Sequence, residues 1–152
     1  MRRKEKEILD KDVLREIIYS SRVCRLGLSD GIYPYIVPLC FGYQDNTLYF
    51  HSAQEGKKIE LLKKNPNICF EFDQNSSVVR AEKPCSWGMK YQSIIGYGKA
   101  EFVETRKEKQ QALNIIMRQY SSNQHEFPDS VIDKTTVFKI KIIGMTGKQA
   151  ED

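Results

Sequence analysis

The sequence predicts a small antiparallel β-barrel decorated by helices, and three observations carry that prediction. Six short apolar runs recur along the chain, at residues 23–28, 35–43, 48–50, 68–72, 92–103 and 137–143. Turn chemistry separates them, with Ser29-Asp30-Gly31 and Gln44-Asp45-Asn46 as the clearest cases. Only two or three helical periods interrupt the series, the composition of a mainly β fold with α elements at its periphery.

Each element follows from its residues. Asp10 or Asp12 can cap a first helix whose apolar stripe is Val13, Leu14, Ile17 and Ile18, ending near Ser20-Ser21. The strand at 23–28 turns at Asp30-Gly31 into a partner at 35–43. Pro38 in that partner lacks an N–H, so it marks an edge, a bulge or a ligand-facing break. After the turn at 44–46, residues 48–50 pair back. A helix over 56–64 stops at Asn65-Pro66. Residues 68–72 form the next strand, and 74–86, polar and carrying Pro84, read as an excursion. In the long strand 92–103, Gly96 and Gly98 share one face and remove side chains from it. A helix over 106–120 presents Ala112, Leu113, Ile116, Met117 and Tyr120, and 137–143 closes the sheet. Phe70, Phe72, Ile94, Ile95 and Phe102 are expected to fill the barrel. The whole, residues 1–152, reads as one domain with tails at 1–7 and 146–152.

Composition sets the function classes. Hydrophobic residues make up 40% and aromatic residues 11%, enough for one ordinary core. The net charge of +4 is 24 cations against 20 anions, scattered rather than gathered, which argues against nucleic acid as a partner. No apolar run approaches the roughly 20 residues of a membrane helix. The first residues lack the apolar stretch of a secretory signal, so a cytoplasmic protein is expected. Cys24, Cys40, Cys69 and Cys85 form no C-x-x-C pair and are expected as buried thiols; Cys40 in particular reads as packing. His51 and His125 have no ligand spacing, so no metal site is expected.

One stretch carries chemistry. Residues 48–50 lead through His51, Ser52 and Ala53 to Gly56 and a helix opened by Lys57 and Lys58. Unpaired N–H groups and the positive end of a helix dipole favour an anion there, and two ammonium groups can reach phosphate oxygens. The bland alternative is a pair of solvated charges on an exposed first turn. Ser52 can serve as a helix N-cap, and His51 can bond a cofactor, gate a substrate or satisfy a turn.

The ordered motifs Val23-Cys-Arg-Leu-Gly-Leu28, Pro34-Tyr-Ile-Val-Pro-Leu39 with Phe41-Gly-Tyr43, Leu48-Tyr-Phe-His-Ser-Ala53, Glu55-Gly-Lys-Lys58 and Ser93-Ile-Ile-Gly-Tyr-Gly-Lys-Ala-Glu101 span nearly the whole chain. In this order and spacing the sequence resembles the FMN-binding split-barrel family of the pyridoxamine 5′-phosphate oxidases. Within it, the branch containing the nitroimidazole-resistance proteins is the more similar. The resemblance implies a split β-barrel of six or so antiparallel strands, Greek-key-like, with peripheral helices. It also implies that the strand carrying Val37, Pro38, Leu39 and Cys40 lies along the flavin. His51, Ser52 and Ala53 then contact ribityl and phosphate, and Lys57 with Lys58 holds the phosphate, where the oxidases proper tend to use an arginine and a lysine. Tyr91, Gln92 and Ser93 then reach the flavin, in many members across a dimer interface. Trp87, Met89 and Tyr91 can wall a substrate pocket or bury that interface.

The function the resemblance implies is a homodimeric FMN oxidoreductase moving electrons from NAD(P)H to a small acceptor such as a nitroaromatic. His51 is the one candidate for a catalytic side chain. Pyridoxamine 5′-phosphate oxidation would need a second basic pair, and Lys139, Lys141 and Lys148 supply it only nominally. From other classes stand a non-catalytic flavin-binding or sensing dimer and a ligand-free barrel used as an interaction domain.

Overall fold

The computed structural model describes residues 3–150. In chain order the elements are β1 (Glu7–Ile8), α1 (Lys11–Ser20), β2 (Cys24–Ser29), β3 (Pro34–Leu39), β4 (Gly42–Gln44), β5 (Thr47–Ser52), α2 (Lys57–Lys64), β6 (Asn67–Val79), β7 (Gly88–Val103), α3 (Arg106–Arg118), α4 (Asp129–Asp133) and β8 (Thr136–Ala150). The eight strands make one antiparallel sheet in the order β3-β2-β6-β7-β8-β5-β4, with β1 paired to β8.

The expected strand over 35–43 is two strands. β3 and β4 lie at opposite ends of the sheet order, yet only Cys40 and Phe41 separate them in the chain. The sheet therefore curls until its ends meet at this corner, with no ladder between them. The barrel is closed by the chain and open along one seam. Pro38 sits in the edge strand β3, where an absent N–H costs no ladder bond on the free side.

The corner is pinned from far away in sequence. Phe41 N–H donates to Tyr120 Oη at 3.0 Å, and the same hydroxyl donates to Arg22 O at 2.9 Å. The barrel interior holds Phe41, Phe50, Phe70, Phe72 and Phe138, all fully buried, with Phe50 and Phe138 stacked at 5.2 Å. Each such ring contributes roughly 1.5–3 kcal/mol by leaving water. The face that Gly96 shares with Gly98 is the inward one; a Cβ at Gly96 would land in the Phe70 ring. Ile95 does not fill the barrel. It points outward and is 47% exposed, because strand alternation sends it to the face opposite Ile94. Outside the barrel, Ala112, Leu113 and Ile116 of α3 cover Val103 and Val137 together with Ile132 of α4.

Caps follow the sequence. Asp10 accepts from Asp12 N–H at 2.8 Å, and Thr105 Oγ1 accepts from Glu108 N–H at 3.2 Å. Three expectations move. β6 runs through the supposed excursion as far as Val79. β8 extends to Ala150, with Thr146 to Ala150 paired to β7, and β1 begins at Glu7, the last residue of the other expected tail. Residues 1–2 and 151–152 of those tails lie outside the described residues. Finally, Cys40 and Cys85 are exposed; only Cys24 is fully buried, where burial raises its thiol well above the ordinary value.

Candidate functional site

α2 begins at Gly56, whose φ of 126° is open to glycine and strained for other residues, and no side chain caps the helix. A Cβ at Gly56 would meet nothing within 4 Å, so the space before the first turn is open. The expected cap Ser52 is instead the last residue of β5, half-buried and paired with Thr136. The first N–H groups of α2 thus face open space at the positive end of the helix.

Two lysines flank that opening, on different walls. Lys57 places its ammonium 5.6 Å from the Tyr35 ring centroid, against β3. Lys58 is half-buried, and burial alone pushes its ammonium below 10.5, with no carboxylate offsetting the cost. Its charge is felt by His51, whose imidazole falls below 6.5 through burial first and Lys58 second. The start of α2 therefore joins the edge of β3 to the exit of β5. A half-buried cation with no carboxylate partner among the described residues, beside uncapped N–H groups, fits a phosphate, and Lys57, Lys58 and the backbone of α2's first turn are the groups to hold one.

The structure brings Lys57, Lys58, His51, Ser52 and Ala53 to one end of the seam, next to β3 with Val37, Pro38 and Leu39. Val37 and Leu39 share the inward face of β3 with Tyr35, which belongs to the strand that the resemblance sets along the flavin. Cys40 lies at the far end of β3, at the corner. Tyr91, Gln92 and Ser93 lie on β7, apart from the lysines along the sheet but nearer to β3, whose Pro38 row runs through Arg25 and Glu71 to Ile95, two residues from Ser93. The row Val103–Val137–His51 crosses β7, β8 and β5 beside the lysines, and Ser93 lies ten residues up β7 from that row, about 33 Å of strand. Strands β2 and β6 also separate β7 from β3, about 14 Å of sheet. Gln92 further differs from its neighbours in facing inward, where its Oε1 accepts from Gln74 at 3.1 Å and Asn75 at 3.0 Å.

The outer sheet face is apolar where a solvated surface would be polar. Ile36, Gly27, Cys69, Tyr97 and Gly144 stand in one cross-strand row over β3, β2, β6, β7 and β8. Ile36, Tyr97 and the nearby Ile143 are each more than 60% exposed, and a hollow of 470 Å³ opens among Gly27, Pro34, Cys69, Tyr97 and Ile143. Two larger hollows, of 530 and 550 Å³, lie under α3 and beside α1, away from the lysines. No group of residues fit to hold a metal occurs among the described residues, and no helix among them is long and apolar enough to cross a membrane.

Fold and site together define a split barrel with an uncapped helix start and two lysines where its seam meets that helix. The chain belongs to the pyridoxamine 5′-phosphate oxidase family, whose model matches residues 10–149. A candidate 5-nitroimidazole antibiotic resistance protein from Bacteroides thetaiotaomicron is 40% identical, with 93% of this chain and 85% of that one covered and a TM-score of 0.85. The flavocytochrome Anf3 from Azotobacter vinelandii is 17% identical over 100% of this chain and 72% of its own, with a TM-score of 0.88. An FAD and heme binding protein from Mycobacterium smegmatis is 15% identical over 97% and 74%, also at 0.88. The last two share the fold. No curated protein matches the sequence.

Proposed function

We infer that this chain is an FMN-dependent oxidoreductase, working as a cytoplasmic homodimer that passes electrons from NAD(P)H to a small, nitroaromatic-like acceptor. The observation that carries it is the uncapped start of α2 beside the free edge of β3, with Lys57 and the half-buried Lys58, which has no carboxylate partner among the described residues. When bound, FMN supplies the redox chemistry itself. The protein's residues do the rest: Lys57, Lys58 and the α2 backbone grip the phosphate, and β3 lies along the flavin. The nitroaromatic acceptor rests on the likeness to the Bacteroides protein. Pyridoxamine 5′-phosphate is less well served. Lys139 and Lys141 both pair with Glu101, and Lys148 lies over the Tyr91 ring, so none stands ready for a second phosphate.

Homodimer formation is supported by two features. The apolar row around Tyr97 is the kind of exposed patch that marks an interface. Ser93 lies ten residues along β7 from the Val103 row beside the lysines, and a second copy that brought its own Tyr91 and Ser93 to the flavin would complete the site. The four free cysteines suit a reducing compartment.

The test is anaerobic. Purified protein should carry a yellow chromophore, run at twice 17.7 kDa by light scattering, and bleach on addition of NADH or NADPH. Tight flavin retention without bleaching would leave a binding module in place of an enzyme, and colourless protein that takes up no FMN would overturn the reading.

A further inference from the structure

The hollow under α3 is a formed cleft. α3 rests directly on the sheet at Gly42, where an added Cβ would come within 2.7 Å of the backbone of Ile115 and Ile116. Ala112 and Ile116 pack with Val103 and Val137. Beside these supports a space of 530 Å³ stays open, within the range of small-molecule sites. The loop after α3 is held at its rim. Asn114 Oδ1 accepts from the His125 N–H at 3.1 Å, and Gln110 Nε2 donates to His125 O at 3.3 Å, which fixes the neighbouring Gln124 among the lining residues.

Charge is divided along this cleft. At one end the Glu108 carboxylate accepts from Thr105 Oγ1 at 2.7 Å, inside the first turn of α3. Arg118 lies ten residues on, about 15 Å of helix. Its one polar contact among the described residues is with Gln44 Oε1, at 3.4 Å. Asp45 takes the Nε2 side of that amide at 3.3 Å. The sheet row of Gln44 continues through Thr47 and Lys141 to Lys99, and the next row is Gly42, Tyr49, Lys139 and Glu101. Glu101 serves two lysines, Lys141 at 3.3 Å and Lys139 at 4.0 Å. Lys99 and Lys141 stand directly opposite each other, a pairing of like charges that weakens a sheet. Lys99, Lys139, Lys141 and Arg118 thus outnumber Glu101 and Asp45 at this end. The surplus costs stability, and a bound anion would offset it. Between the charges lies Tyr49, half-buried against the apolar cluster of α3, its hydroxyl bonded to no group among the described residues. Burial first and Asp45 second hold its phenol above the ordinary value, so the O–H stays a donor.

We propose that this cleft binds a small organic carboxylate with an apolar body the size of one ring, its charged head between Arg118 and Lys139 and its body on Tyr49, Ala112 and Ile115. The guanidinium fork matches a carboxylate through two parallel hydrogen bonds. Gln44, which holds Arg118, and Lys139 sit two strands apart, about 10 Å at the backbone, a span that one carboxylate between two long side chains bridges. None of the lining residues belongs to α2 or β3, so the site is separate from the phosphate seat and independent of the flavin reading.

Benzoate is the probe, titrated into the isotope-labelled full chain while the side-chain amides of Gln44, Gln111 and Gln124 are followed by NMR. Saturable shifts are expected at these amides, with one affinity in the FMN-loaded protein and in Lys57→Ala/Lys58→Ala. Arg118→Gln should weaken benzoate by about 10-fold or more, the scale of hydrogen bonds to a charged group, and Lys139→Gln by less. Arg118 is exposed, so its replacement should leave the urea midpoint unchanged. Benzamide, which keeps the ring without the charge, and acetate, which keeps the charge without the ring, should each bind more weakly than benzoate. No saturable shift at the three amides, equal affinity in Arg118→Gln, or equal affinity for benzamide would overturn the proposal. Shifts centred on Lys57 and Lys58, and lost with them, would place the anion at α2 and overturn it too. A protein that takes up no FMN yet binds benzoate under α3 would keep this site and remove only the flavin reading.

Discussion

Lys57 Nζ stands 5.6 Å from the centre of the Tyr35 ring, which ties the first turn of α2 to the edge strand of the seam. That contact keeps an exposed lysine over the groove instead of in bulk water. An exposed cation–π pair is worth about 0.5–1 kcal/mol. Tyr35→Leu should therefore weaken FMN binding by about 2- to 5-fold on that scale, while Tyr35→Phe keeps the ring and the parent affinity. Flavin fluorescence titration reads both; a leucine variant that binds like the parent would show that the ring does not position Lys57.

Lys58 makes the site sensitive to alkaline pH. Burial lowers its ammonium below 10.5 in the free protein, and a bound phosphate would raise it again. The complex then keeps a proton that the free protein sheds, so FMN affinity falls as pH rises above the depressed value of the free protein, and the fall levels off above the raised value of the complex. Lys58→Arg stays charged throughout and should bind with a smaller alkaline fall than the parent. A parent whose affinity is flat from neutral pH to above 10.5 would remove Lys58 from the phosphate.

Tyr120 is a structural pin with a measurable contribution. Its hydroxyl accepts from Phe41 at the β3–β4 corner and donates to Arg22 before β2. Burial, the first of several influences, pushes its phenol up to about 12, so it stays protonated and able to donate over the ordinary range. Tyr120→Phe loses both bonds and strands the Phe41 N–H, at a cost of about 1–3 kcal/mol. A lower urea midpoint at unchanged m-value checks this; an unchanged midpoint would mean that water replaces the hydroxyl.

The sequence shows the barrel's elements and their order, but not the points where distant residues decide the outcome. The helix starts at Asp10 and Thr105 are local signals, as is the turn at Asp45-Asn46, where both residues adopt positive φ. The division of residues 35–43 into two strands is not local. The apolar pattern runs straight through Cys40 and Phe41, and the corner is fixed by Tyr120, seventy-nine residues away. The outlying pairing of β6 with β7 over 77–90 escaped because both of its faces are largely solvated, and a strand with no buried face shows no alternation to read. At the site, chemistry made Lys57 and Lys58 visible and the family resemblance added Tyr91, Gln92 and Ser93. Distance along β7 was hidden in both, so the separation of these two groups emerges only from the register of the sheet.

The claim beneath all of this is that the start of α2 grips a phosphate, and comparing FMN with riboflavin tests it most directly. The two ligands share the ring and ribityl chain and differ by the phosphate alone. The parent should bind FMN more tightly than riboflavin by a few kcal/mol, the scale of charge-assisted hydrogen bonds, and Lys57→Ala/Lys58→Ala should erase most of that difference while leaving riboflavin binding unchanged. Equal affinity of the parent for both ligands, or a preference for FMN that survives loss of both lysines, would contradict it.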